Sequence, residues 1–74
     1  GVIAMKVFGQ EQLVGTATPG ATVTLVQTSA TTIADLDGKF QFANVLLAPG
    51  ANAFTARAED LTGNATTLGL AVTQ

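Results

Sequence analysis

Apolar and polar residues take turns along much of this chain. In Thr22-Val23-Thr24-Leu25, and again from Phe54 to Glu59, the alternation is strict, and a period of two sends successive side chains to opposite faces of a strand. Ala21, Val23 and Leu25 therefore share one face and predict a core. Phe54, Ala56 and Ala58 form a second such face, with Thr55, Arg57 and Glu59 on the other side of the same strand. Both runs start from the same kind of turn, Thr18-Pro19-Gly20-Ala21 and Ala48-Pro49-Gly50-Ala51. Pro presets the backbone angle of the second residue of a type II turn, and Gly tolerates the positive φ of the third.

The other segments are also of strand length. Val2 to Phe8 ends at Gly9, and Leu13 to Thr18 contains Gly15, which predicts a bulge or a close backbone approach. Ala21 to Gln27 follows, then Thr31 to Asp35, turning Ile33 or Ala34 inward. Leu36-Asp37-Gly38-Lys39 reads as a hairpin turn ahead of the alternating Phe40-Gln41-Phe42. Val45, Leu46 and Leu47 approach the second Pro-Gly turn, Asp60 to Asn64 forms a loop, and Leu68, Leu70 and Val72 close the core from a last strand. No window places apolar residues at helical spacing, so helix has little support. The expectation is a single all-β domain over residues 1–74, a sandwich of seven short antiparallel strands.

Size and composition narrow what such a domain does. A chain of 74 residues builds one core, and with neither Cys nor His it has no disulfide or histidine zinc site to reinforce it. Charged residues make up 11% of the chain and the net charge is -2, which leaves no basic face for nucleic acid or anionic lipid. Few charges are left to protect strand edges, which favours self-association, although a module of a longer chain whose ends are covered by neighbours explains the same composition. No apolar run is long enough to span a bilayer, and Gly1 to Met5 lacks the length and basic start of a signal peptide.

Candidate chemistry is sparse. Ser29 is the single serine and has no histidine to activate it, so no nucleophilic site is expected and the chain reads as a non-enzyme. Without Trp or Tyr, an exposed aromatic sugar platform is not expected, and Phe8, Phe40, Phe42 and Phe54 read as core or junction packing. Asp35-Leu36-Asp37-Gly38 resembles the start of a calcium loop, but the residues that follow, Lys39 to Phe42, alternate as a strand. Turn chemistry accounts for Asp and Gly at these positions.

The succession Val14 to Leu25, then Ala34 to Phe42, then Leu47 to Asp60 with Gly63-Asn64, resembles a bacterial immunoglobulin-like repeat over nearly the whole chain. The resemblance implies a Greek-key sandwich and an extracellular or cell-surface setting. It also implies a structural role, with the spacing of neighbouring domains as the main reading. A self-assembling fibre subunit, pairing through termini such as Val2-Ile3-Ala4 and Leu70-Ala71-Val72, and an accessory module packed against a polysaccharide-active enzyme are the alternatives. Two further sites follow from the resemblance. Glu59, Asp60 and Asn64 could bind calcium at a domain junction, beside the other candidates Asp35 and Asp37, and Lys6 could form an isopeptide bond with Asn64 aided by Glu59. Against these stand an ordinary Asx-turn at Asp60 and a solvated edge lysine at Lys6.

Overall fold

The computed structural model describes residues 3–7 and 12–74. Within them lie seven strands in two antiparallel sheets and no helix. The strands are β1 (Ala4–Val7), β2 (Leu13–Thr16), β3 (Thr22–Leu25), β4 (Ala30–Ile33), β5 (Lys39–Phe42), β6 (Ala51–Glu59) and β7 (Ala65–Thr73). One sheet has the order β1-β2-β5, the other β4-β3-β6-β7. Expectations at Gly1, Val2 and Phe8 to Glu11 fall outside the described residues.

The alternating runs bury the faces their pattern predicts. Ala21, Val23 and Leu25 are buried, as are Phe54, Ala56 and Ala58, and Leu68, Leu70 and Val72 pack half-buried against them from β7. In the facing sheet Phe40 and Phe42 meet edge to face, with ring centroids 5.8 Å apart. The largest fully buried side chains are Leu13, Val23 and Leu25, so the bulk of the core's centre lies between β2 and β3. Phe54 is buried toward one end, because the β3–β6 ladder ends at Leu25 and Ala56, with one last bond from Val26 N–H to the Thr55 carbonyl, while β6 and β7 run on together as far as Ala51 and Thr73.

Several segments are shorter or placed differently from the sequence expectation. The run expected from Ala21 to Gln27 ends as a strand at Leu25; Val26 N–H still donates to the Thr55 carbonyl of β6, but Val26 to Ser29 turn the chain into β4 and Ser29 takes a positive φ of 62°. Of Ile33 and Ala34 it is Ala34 that faces inward; Ile33 is 66% exposed. The turn at Leu36 to Lys39 forms, but the strands it joins belong to different sheets. Ala34 still bonds to Ala21 in line with β3, whereas four residues later the Gly38 carbonyl accepts from Ala17 at the end of β2. The chain thus changes sheet within the turn.

The two Pro-Gly turns share a glycine geometry and differ in how they close. Gly20 and Gly50 have φ of 81° and 89°, but Ala21 N–H donates to the Thr18 carbonyl in the first, while in the second the Asn52 side chain does the closing. Its Oδ1 accepts from Ala48 N–H at 2.8 Å, and its amide donates to the Ala48, Gly50 and Val72 carbonyls. Gly20→Ala and Gly50→Ala are each expected to cost about 1 kcal/mol through backbone strain alone, since a Cβ at either position meets nothing within 4 Å. Asn52→Ala strands several backbone groups at once and is expected to cost more, about 2 kcal/mol, in urea unfolding.

Candidate functional site

Three turns gather at one pole of the sandwich. They are the β2–β3 connection, the β4–β5 turn and the β6–β7 turn, the first two joined by backbone bonds from Ala17 to Gly38 and from Gly20 to Ala34. A small cleft lined by Ile3, Thr18, Ala58, Asp60 and Asn64 brings the third turn to the first. This pole holds all five calcium candidates, Asp35, Asp37, Glu59, Asp60 and Asn64.

Two of the turns are the same device used twice. Asp35-Leu36-Asp37-Gly38-Lys39 and Asp60-Leu61-Thr62-Gly63-Asn64 share Asp, Leu and Gly at equivalent positions. In each, the Gly N–H donates to the Asp carbonyl, the Asp N–H donates to the carbonyl of the fifth residue, and the glycine has a positive φ. In each, the Asp Oδ1 accepts the N–H groups of the third and fifth residues, at 2.9 and 2.8 Å for Asp35 and at 2.9 and 3.0 Å for Asp60. Asp60 Oδ1 also accepts from the Thr62 hydroxyl at 2.7 Å. The carboxylate stands in for backbone acceptors that a bulged turn leaves missing.

That geometry speaks for the turn reading of the acidic residues. Glu59 pairs with Arg57 at 3.0 Å, the one ion pair among the described residues. The Asn64 amide donates to Thr62 Oγ1. Among the described residues no three acidic groups come together as a metal-ligand set. Calcium is expected to leave the melting temperature unchanged, whereas a site filled at a hundredfold excess over its Kd would add about 2.7 kcal/mol, which a thermal melt detects. As for the isopeptide candidate, Lys6 lies on the exposed outer face of β1 while the Asn64 amide is engaged within its own turn.

The Thr62 hydroxyl holds the Asp60 carboxyl below its ordinary value; desolvation opposes it as the next largest effect, and the backbone N–H groups of Asn64 and Thr62 add to the lowering. A folded-state pKa below the unfolded one means that the stabilisation is complete above the unfolded value and is lost as pH falls through the folded one. Unfolding titrations from neutral pH into the acid range are expected to show this loss, and Asp60→Asn, which keeps an oxygen acceptor, is expected to flatten that part of the profile.

What sequence reasoning missed at this pole is its apolar content. Leu36 and Leu61, each the second residue of its turn, are 95% and 94% exposed. The repeated Asp-Leu-x-Gly was the readable signal, since matching turns display their second residues in matching ways. A second unanticipated feature is an open groove of about 730 Å³ over the outer face of β1-β2-β5, walled by Ile33 of β4 and carrying Lys6 and Lys39.

Comparison of the chain with protein-family models, curated proteins and solved structures finds no match.

Proposed function

We propose that this chain is a non-catalytic immunoglobulin-like module that spaces neighbouring domains in an extracellular or cell-surface bacterial protein. The observation that carries the reading is the placement of Ile3 and Gln74 at opposite poles. Ile3 lies among the turns of one pole, and Gln74 lies at the other, where its N–H donates to Gly50. The body between them measures 38 × 18 × 18 Å. A chain that enters one end of a rod and leaves by the other extends whatever it joins.

The strand order supports the immunoglobulin-like part of the proposal. Strands one, two and five face strands three, six and seven, as in the immunoglobulin sandwich, with β4 added at the β3 edge. Leu36 and Leu61 at the entry pole offer a preceding domain an apolar footing, and the low charge of the chain sets up little repulsion between modules. Proteins with two, three and four tandem copies test the reading by small-angle scattering. Each added copy is expected to lengthen the particle by about 38 Å; copies that fold back into a compact particle overturn the spacer role.

A further inference from the structure

We infer that β7 is a docking edge for a second copy of this chain, pairing antiparallel with its own counterpart about a two-fold axis through Gly69. The inference does not rest on the spacer reading. β7 pairs with β6 through Ala65 to Thr73, and among the described residues its other edge pairs with no strand. The bonds at the two ends of the hairpin show which groups face away from β6: Asp60 N–H donates to the Asn64 carbonyl and Gln74 N–H to the Gly50 carbonyl. Because bonded and non-bonded pairs alternate along an antiparallel ladder, the even-numbered residues of β7 bond to β6. The odd-numbered ones, Ala65, Thr67, Gly69, Ala71 and Thr73, aim their N–H and C=O groups outward.

Such a row is a template for an extended backbone, and soluble proteins normally guard it with charge, proline, a bulge or a short length. β7 has nine residues, none of them charged or proline, and pairs with β6 without a break in register. The other edge strands are four residues long, and two of them carry a lysine, Lys6 in β1 and Lys39 in β5. A two-fold interface sets each residue against its own kind of neighbourhood, so an uncharged strand is the one on which a copy lies without opposing like charges.

The register follows from the centre of the strand. Placing Gly69 opposite Gly69 of the second copy pairs the whole of β7, sets Thr67 against Ala71, and brings the half-buried Leu68 of each copy beside Leu70 of the other. On the outer face the opposed side chains are small, so the two four-stranded sheets join without obstruction there.

Sedimentation of the purified chain over a concentration series tests the pairing. A rise to twice the monomer mass is expected; a monomer mass throughout overturns it. Charge variants test the register. Thr67→Lys with Ala71→Lys opposes two lysine pairs and is expected to abolish the dimer, whereas Thr67→Glu with Ala71→Lys places opposite charges across the axis and is expected to keep it. Equal behaviour of the two double variants overturns the register. Because the chain has no cysteine, Gly69→Cys introduces one thiol per copy at a place where a Cβ meets nothing within 4 Å. Paired Cα atoms about 5.5 Å apart lie within disulfide reach. Oxidation is expected to cross-link Gly69→Cys at least tenfold faster than Thr67→Cys, and comparable rates overturn the proposed axis.

Discussion

Leu25→Ala is expected to remove about 3 to 5 kcal/mol of stability, enough to unfold much of the population. Leu25 has no exposed surface, and with Leu13 and Val23 it is one of the largest fully buried side chains between the two sheets. Truncation loses the transfer energy of the deleted carbons and leaves a cavity that flanking strands cannot close, because both are held by ladders, Leu25 pairing with Ala30 on one side and Ala56 on the other. Chains of this size have roughly 5 kcal/mol to spare. Chemical denaturation should place Leu25→Ala below Phe54→Ala in stability, since Phe54 lies beyond the end of β3. The reverse order would move the centre of the core to the β6–β7 end.

Gly15→Ala is expected to be nearly as damaging, at about 3 kcal/mol, although it adds a single methyl group. Gly15 pairs with Met5 on one side and Phe40 on the other. A Cβ there would run into the Ala4 carbonyl and come within 2.5 Å of the Phe40 ring. The carbonyl belongs to a paired strand and cannot step aside, so relief requires the β1–β2 pairing to open and the ring to leave its place against Phe42; overpacking of this kind typically costs 1–3 kcal/mol, sometimes more. Thermal melts of Gly15→Ala beside Gly20→Ala and Gly50→Ala separate crowding from backbone strain. A Gly15→Ala protein that melts with the other two would show that β1 is free to move.

Much of this is local, and what is local was legible in the residues. Period-two alternation named the buried faces of β3, β5 and β6, because a strand turns alternate side chains the same way wherever it is placed. The Pro-Gly pairs announced positive φ at Gly20 and Gly50, since few residues other than glycine adopt it comfortably. Gly15 signalled a close approach, and Asp35 and Asp60 signalled turns, because a short carboxylate reaches its own backbone two and four residues on.

Less legible was anything that depends on which strands become neighbours. The turn at Asp35 to Lys39 has hairpin chemistry, yet it carries the chain from one sheet to the other, because the Gly38 carbonyl finds its donor in Ala17 at the end of β2. Nothing in the five residues themselves specifies that donor. Asn52 reads as an ordinary polar residue of a strand until the chain brings Ala48 and Val72 within reach of its amide. Leu36 and Leu61 read as loop residues until the fold sets both at one pole, and β7 has an edge that pairs with no strand among the described residues because β6 takes its other side. By itself the sequence determined the strands, their buried faces and the shape of the turns, all set by dihedral preference and by hydrogen bonds spanning a few residues. Only the tertiary structure decided sheet membership, the centre of the core and the surfaces left exposed, because each depends on which distant backbone groups and apolar faces satisfy one another, and many partners are compatible with the same local pattern.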